Sequence, residues 1–64
     1  MPLIEVTIVE GRSDAQKAQL IARLTEVAVE TVDVPLDAVR VCIREIPLAH
    51  WGIGGKTLEA PRKR

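Results

Sequence analysis

The sequence predicts an α/β fold of the α+β type, built from a single β-α-β unit and a short C-terminal hairpin. Two short segments of alternating apolar residues flank one long amphipathic segment, and a glycine-rich stretch follows them. A strand, a crossover helix and a second strand favour parallel pairing with a right-handed connection. Neither a repeat nor a change in composition divides the chain, so residues 1–64 are expected to form one domain.

The first predicted strand runs from Leu3 to Val9, a segment rich in β-branched residues and too short for a typical helix. One face of this strand carries Ile4, Val6 and Ile8. Residues 10–12 break the alternation, and residues 13–16 then have the form of a capping box. The Ser13 hydroxyl and the Gln16 side chain can each satisfy a backbone amide at the start of a helix.

The helix is predicted from Ala15 to about Val32. Its polar residues recur every three or four positions and form one narrow stripe: Gln16, Gln19, Arg23, Glu26 and Glu30. The apolar arc beside this stripe covers roughly 200–240°, wider than the stripe that a surface helix normally buries. One small sheet cannot cover such an arc, so part of it is expected to meet another subunit. Lys17 intrudes on the apolar side, and its ammonium is expected to reach water.

The second predicted strand runs from Val39 to Ile46. Pro35 ends the helix before it, because proline disfavours helical geometry at Val34. Two sets of residues alternate along the strand: Val39, Val41 and Ile43 on one side, and Arg40, Cys42 and Arg44 on the other. Cys42 is expected to be a buried, inert thiol. The segment His50 to Gly55 is too rich in glycine for a helix and predicts a tight turn or hairpin.

The composition indicates an oligomer. Hydrophobic residues make up 47% of the chain, although phenylalanine and tyrosine are absent. A chain of this length buries only about 60% of its unfolded surface and usually needs a further source of stability. A single cysteine cannot form an internal disulfide, and one histidine with one cysteine cannot complete a structural zinc site. We therefore expect burial of apolar surface between subunits, and we expect neither a metal nor a cofactor.

Charge and hydropathy exclude two classes of partner. Nine basic and nine acidic residues balance, so no overall field attracts nucleic acid or an anionic membrane. The basic residues Arg62–Arg64 are interpreted as a solvated tail. No apolar segment approaches the ~20 residues of a membrane span, and the N-terminus lacks the pattern of a signal peptide. A soluble, cytoplasmic protein is expected.

Pro2 can become a base if Met1 is removed. While Met1 is attached, the Pro2 nitrogen is a tertiary amide without basicity, but removal of Met1 leaves a secondary amine in a rigid ring. Apolar surroundings or cations would lower the pKa of this amine toward the range in which a general base works best. Taken alone, a proline at this position has no functional meaning in most proteins.

The predicted topology restricts which residues can act with Pro2. In a parallel pair, Arg40 lies at the same edge of the sheet as Pro2, whereas Arg12 lies beyond the far end of the first strand, more than ~20 Å away. If Arg12 serves the same small substrate, it must come from another subunit. An arginine can bind a carboxylate through two hydrogen bonds, but it can equally form a surface ion pair. Trp51 could line a pocket, the core or an interface.

Four segments together resemble the 4-oxalocrotonate tautomerase family: Met1-Pro2, residues 9–17 (VEGRSDAQK), residues 35–41 (PLDAVRV) and residues 50–55 (HWGIGG). Each segment is weak alone, but their order and spacing are specific, and they cover nearly the whole chain. The resemblance implies a β-α-β subunit with a short hairpin. It also implies a homohexamer, a trimer of dimers, with active sites shared between subunits.

The resemblance also implies an activity. Pro2, freed of Met1, would be the general base that converts a 2-hydroxydienoate such as 2-hydroxymuconate to the conjugated 2-oxo acid in the breakdown of aromatic compounds. Arg40 would bind near the 2-oxygen and its carboxylate, and Arg12 would bind the distant carboxylate. Trp51 stands at the family's apolar wall position, which is usually phenylalanine.

Three alternatives remain at this point. The chain could be a hydratase or dehalogenase of the same fold, but the segment from Leu48 to Lys56 lacks the carboxylate that would activate water. It could instead be a biosynthetic enzyme acting on another unsaturated acid. From a different class, it could be a non-catalytic oligomeric binding module, which the presence of Pro2, Arg12 and Arg40 together disfavours.

Overall fold

A computed structural model of the chain describes residues 1–59, which form one β-α-β unit followed by a hairpin. Strand β1 comprises Leu3–Val9, helix α1 Asp14–Val32, strand β2 Arg40–Ile46, and the hairpin strands β3 and β4 Gly52–Ile53 and Lys56–Thr57. The strands β1 and β2 and the helix confirm the sequence prediction to within one residue, and the hairpin to within two. The expected solvated tail lies outside the described residues.

Two short 3₁₀ helices were not expected. They comprise Leu36–Ala38 and Leu48–His50, and each directly follows a proline in an extended conformation, Pro35 or Pro47. Three residues are too few to produce a periodic pattern of apolar residues, so the sequence carries no signal for them beyond the prolines themselves.

Local hydrogen bonds explain where α1 begins and ends. The Gln16 backbone N–H donates to Ser13 Oγ at 3.1 Å, and the Ser13 N–H donates to Gln16 Oε1 at 2.9 Å, which confirms the predicted capping box. At the other end, Asp33 adopts a left-handed conformation with φ 62°, and its N–H donates to the Val29 carbonyl at 3.1 Å. This cap stops the helix two residues before Pro35.

The hairpin depends on two consecutive glycines. Gly54 and Gly55 connect β3 to β4 and have φ angles of 61° and 87°. Two successive positive φ angles match the two-residue turns that suit the twist of an antiparallel pair, and glycine adopts them without steric cost.

The strands β1 and β2 pair in parallel, from Leu3 opposite Arg40 to Val9 opposite Ile46. The register divides the sheet into two faces. The face toward α1 carries the half-buried side chains Ile4, Val6, Ile8, Val41 and Ile43. The open face carries the exposed side chains Leu3, Glu5, Thr7, Arg40, Cys42 and Arg44. The prediction that Cys42 is buried is therefore wrong for the single subunit, because nothing within residues 1–59 covers the open face.

The subunit has almost no core of its own. Among the described residues only Ala28 is buried, with 7% of its surface exposed. Large apolar side chains lie exposed from the first residue to the hairpin: Met1, Leu3, Ile21, Val27, Val32, Leu36, Leu48 and Ile53. Exposure of so much apolar surface to water is unfavourable. The contacts within a single copy are therefore not enough to explain a stable fold.

Within residues 1–59, no helix combines the length and the apolar character needed to cross a membrane.

Candidate active site

Pro2 and Arg40 are neighbours at one edge of the sheet. The Arg40 N–H donates to the Pro2 carbonyl at 3.0 Å, immediately before the first strand pair, Leu3 and Arg40. The parallel topology predicts this arrangement. The two side chains nevertheless lie on opposite faces of the sheet. Side chains two residues apart share a face, so Pro2 is on the helix side with Ile4, whereas Arg40 is on the open face. Arg40 Nη1 donates to the Asp37 carbonyl at 2.7 Å, which holds the guanidinium beside the turn that precedes β2.

The Pro2 nitrogen is an amide while Met1 precedes it. Met1 is 83% exposed, and the Pro2 ring is half-buried at the start of β1. The exposure of Met1 leaves the bond to Pro2 accessible from solvent. Removal of Met1 would create an amine at a half-buried position next to the Arg40 backbone.

Arg12 lies at the opposite edge. The seven residues of β1 separate it from Pro2 by about 20 Å. Gly11, with φ 124°, turns the chain from β1 toward α1, a conformation that side-chain-bearing residues rarely adopt. This turn leaves Arg12 exposed directly before the N-cap Ser13.

Arg12 borders a cavity of about 230 Å³ between the end of β1 and the first turns of α1. We call this cavity the Arg12 pocket, and its lining residues are Ile8, Arg12, Gln16, Lys17 and Leu20. Ile8 and Leu20 supply apolar surface, while the other three side chains supply hydrogen-bond donors. The pocket therefore combines a wall suited to a carbon chain with cations suited to a carboxylate.

Lys17 forms ion pairs with two carboxylates. Its Nζ lies 2.9 Å from Glu45 Oε1 and 3.4 Å from Asp14 Oδ1, and only 19% of its side chain is exposed. These two ion pairs were not expected from the sequence. The hydrogen bond from Lys17 to Glu45 is the main cause that raises the pKa of Lys17 above its usual 10.5. Lys17 is consequently a permanent cation at neutral pH.

Trp51 lies at the same edge as Arg12. It follows the second 3₁₀ helix and is half-buried, and its carbonyl accepts a hydrogen bond from the Leu58 N–H at 2.9 Å. Glu10 connects this segment to the region of Arg12, because its N–H donates to the Ile46 carbonyl at 3.0 Å and its Oε2 accepts from the Leu48 N–H at 3.3 Å.

The candidate residues therefore fall into two groups in each subunit, which we call half-sites. Pro2 and Arg40 lie where both strands begin, and Arg12 and Trp51 follow the ends of β1 and β2. A length of about 20 Å separates the halves. A small substrate that meets both halves must lie between two copies of the chain.

Two features of the Arg12 half were missed in the sequence. The position of Trp51 at the Arg12 edge follows from the parallel topology, because the tryptophan comes after the end of β2. The sequence also contains an indication of the ion pair between Lys17 and Glu45, because each of these charged residues interrupts an otherwise apolar face. Charges on two facing apolar surfaces are candidates for pairing.

Comparison with known proteins shows the family of the chain. Residues 2–61 match the model of the family described as tautomerase enzyme. A 2-hydroxymuconate tautomerase from Stutzerimonas stutzeri is 47% identical over 60 residues, which cover 94% of this chain and 95% of that protein. A probable tautomerase from Ralstonia nicotianae is 49% identical over 63 residues, which cover 98% and 90% of the two chains.

Two solved structures share the fold. A 4-oxalocrotonate tautomerase from Chloroflexus aurantiacus, described as a heterohexamer, has a TM-score of 0.90 and 44% identity, covering 97% of this chain and 100% of that chain. TomN, a 4-oxalocrotonate tautomerase homologue in the tomaymycin biosynthetic pathway, has a TM-score of 0.85 and 46% identity, covering 89% and 88%. Fold, length and sequence thus agree along nearly the whole chain, and the protein belongs to the 4-oxalocrotonate tautomerase family, whose members are isomerases.

Proposed function

We propose that this tautomerase converts 2-hydroxydienoates such as 2-hydroxymuconate to conjugated 2-oxo acids, with Pro2 as the general base after removal of Met1. The observation that carries the proposal is the backbone contact of Pro2 with Arg40, which brings a potential base and a cation to one edge of the sheet. The similarity to 2-hydroxymuconate tautomerases over nearly the whole chain supports the choice of substrate class.

The reaction is a transfer of one proton. The Pro2 amine removes the proton of the 2-hydroxyl group, electrons move along the conjugated chain, and the Pro2 ammonium returns the proton to a carbon further along it. Negative charge develops on the 2-oxygen, and Arg40 stabilises it. Arg12 binds the distant carboxylate through its planar guanidinium. Trp51 supplies an apolar wall that excludes water and favours the neutral amine.

The proposed assembly is a homohexamer, a trimer of dimers. Two features of the subunit support association: the apolar side chains that a single copy leaves in water, and the separation of about 20 Å between the two half-sites. Association would cover the exposed apolar side chains and bring the Arg12 half of one copy to the Pro2 half of another.

The test of this proposal is a 2-hydroxymuconate ketonisation assay on protein whose N-terminus has been identified by intact mass. Turnover is expected from chains that begin at Pro2, because only they carry the amine. Chains that retain Met1 are expected to be inactive. Turnover by the Met1-bearing form would contradict the role of the proline nitrogen.

Replacing Arg12 with alanine is expected to raise KM for a diacid about 10- to 100-fold, because a hydrogen-bonded charge pair is lost. KM for a monoacid analogue such as 2-hydroxy-2,4-pentadienoate is expected to change little, since that substrate lacks the distant carboxylate. Steady-state kinetics with both substrates measures the difference. Arg23→Ala, on the exposed stripe of α1, is the matched control. Equal losses on the two substrates would contradict the role of Arg12.

A second candidate function is the same proton transfer on an unsaturated acid of a biosynthetic pathway. It is favoured by the 46% identity to TomN and by the large side chain of Trp51 at the Arg12 edge. Turnover of 2-hydroxymuconate far below that of another 2-hydroxydienoate would select this candidate.

A further inference from the structure

We propose that Glu45 and Asp14, by neutralising Lys17, set how strongly the Arg12 pocket prefers a substrate with a second carboxylate. This inference deepens the proposed function, because it takes Arg12 as the residue that binds that carboxylate. Glu45 and Lys17 act here as positioning residues that determine specificity through the charge of the pocket.

The charges around the pocket cancel. Arg12 and Lys17 both line it, and the Lys17 ammonium lies between the carboxylates of Glu45 and Asp14, at 2.9 and 3.4 Å. Two cations and two carboxylates leave no net charge at the pocket. Lys17 is also held toward the two carboxylates. Of the two cations that line the pocket, only Arg12 has no ion pair within 4.0 Å among the described residues.

This neutrality has a consequence for substrate choice. A carboxylate entering the pocket is attracted by both cations and repelled by Glu45 and Asp14, whose charge Lys17 only partly screens. Removing one of these carboxylates leaves a net charge of +1 and frees an N–H group of Lys17 to turn toward the bound anion. At a partly exposed site such a change is expected to strengthen binding of a carboxylate about three- to tenfold.

The competing interpretation is that the ion pair only holds α1 against β2. Lys17 is on the helix and Glu45 on the strand, so their contact does connect the two elements. A purely structural role predicts losses of thermal stability and of kcat that are the same for all substrates. A role in specificity predicts a change in the ratio of the two KM values, with kcat unchanged.

The experiment compares Glu45→Gln, Asp14→Asn and Lys17→Gln with the parent chain. Each is assayed with 2-hydroxymuconate and with the monoacid 2-hydroxy-2,4-pentadienoate, and binding of adipate is measured by calorimetry. The Asp14 side chain is fully exposed, so its replacement does not depend on packing. Glu30→Gln is the control for net charge, because Glu30 is exposed and lies about 20 Å further along α1.

The expected result is a three- to tenfold lower KM for the diacid and tighter adipate binding in Glu45→Gln. Asp14→Asn is expected to act in the same direction and Lys17→Gln in the opposite one. The monoacid KM remains constant, because the only carboxylate of that substrate lies at Arg40, and Glu30→Gln leaves the ratio unchanged. If Glu45→Gln does not fold, Asp14→Asn alone decides the question.

An unchanged ratio of diacid to monoacid in folded Glu45→Gln and Asp14→Asn would overturn the inference. The proposed function would survive that result, provided that the parent chain turns over 2-hydroxymuconate. Conversely, a parent chain without turnover, in which adipate binding still responds to Glu45, would refute the proposed reaction and support the role of the pocket.

Discussion

Pro2→Ala is expected to lower kcat/KM for 2-hydroxymuconate about 10²- to 10⁴-fold, the range that a positioned general base contributes. Alanine leaves a primary amine on a flexible terminus, so both the basicity and the fixed direction of the lone pair change. Pro2 precedes β1 and donates no backbone hydrogen bond, and alanine keeps the carbonyl that accepts from the Arg40 N–H, so the fold should be unaffected. Progress curves of ketonisation measure the loss.

A second variant separates the ring from the amine. Insertion of one alanine between Met1 and Pro2 keeps the proline but makes its nitrogen an amide, so this variant is expected to be at least as inactive as Pro2→Ala. Circular dichroism and size-exclusion chromatography verify that both variants fold and assemble like the parent. Activity retained by the insertion variant would show that the proline nitrogen is not the base.

Val27→Glu is expected to prevent both assembly and folding. In the single subunit Val27 is 57% exposed, and a substitution at a surface position changes the free energy of unfolding by only about 0.5 kcal/mol. If a second copy covers this side of α1, the new carboxylate is buried without a partner, at a cost of roughly 3–5 kcal/mol per subunit. Within residues 1–59 only Ala28 is buried, so this part of the chain has no other core that could compensate.

Light scattering measures the assembly of the Val27→Glu chain, and far-UV circular dichroism measures its folding. The parent chain is expected to unfold at a temperature that rises with protein concentration, since association and folding are linked. Glu26→Gln changes the adjacent residue on the polar stripe and serves as the control. A folded, monomeric Val27→Glu chain would contradict the interpretation of the exposed apolar arc.

Local signals made most of the fold predictable. The alternation in β1 and β2, the capping box at Ser13 and the paired glycines of the hairpin each act over a few residues, and all appear where the sequence placed them. The exposure of Cys42 was not predictable in this way. Alternation shows that a strand has two faces, but which face is covered depends on elements and copies distant in sequence.

The candidate site was predictable only as far as topology alone determines it. Parallel pairing is sufficient to bring Pro2 and Arg40 together and to separate them from Arg12. The contact of Lys17 with Glu45 depends on how α1 is rotated above β2, a tertiary property that the helical period does not specify. The position of Trp51 likewise depends on the 3₁₀ helix that connects it to β2.

The distance of about 20 Å between the two half-sites has a genetic consequence. Two defective alleles, one with a damaged Pro2 and one with a damaged Arg12, could restore activity in the same cell when their products assemble together. If each site draws its base and its distal arginine from different copies, random mixing leaves roughly one site in four with both residues intact. Mixing the two purified variants through unfolding and refolding is expected to recover that fraction of activity, measured at a diacid concentration well below the raised KM of the Arg12 variant, where each variant alone turns over little substrate.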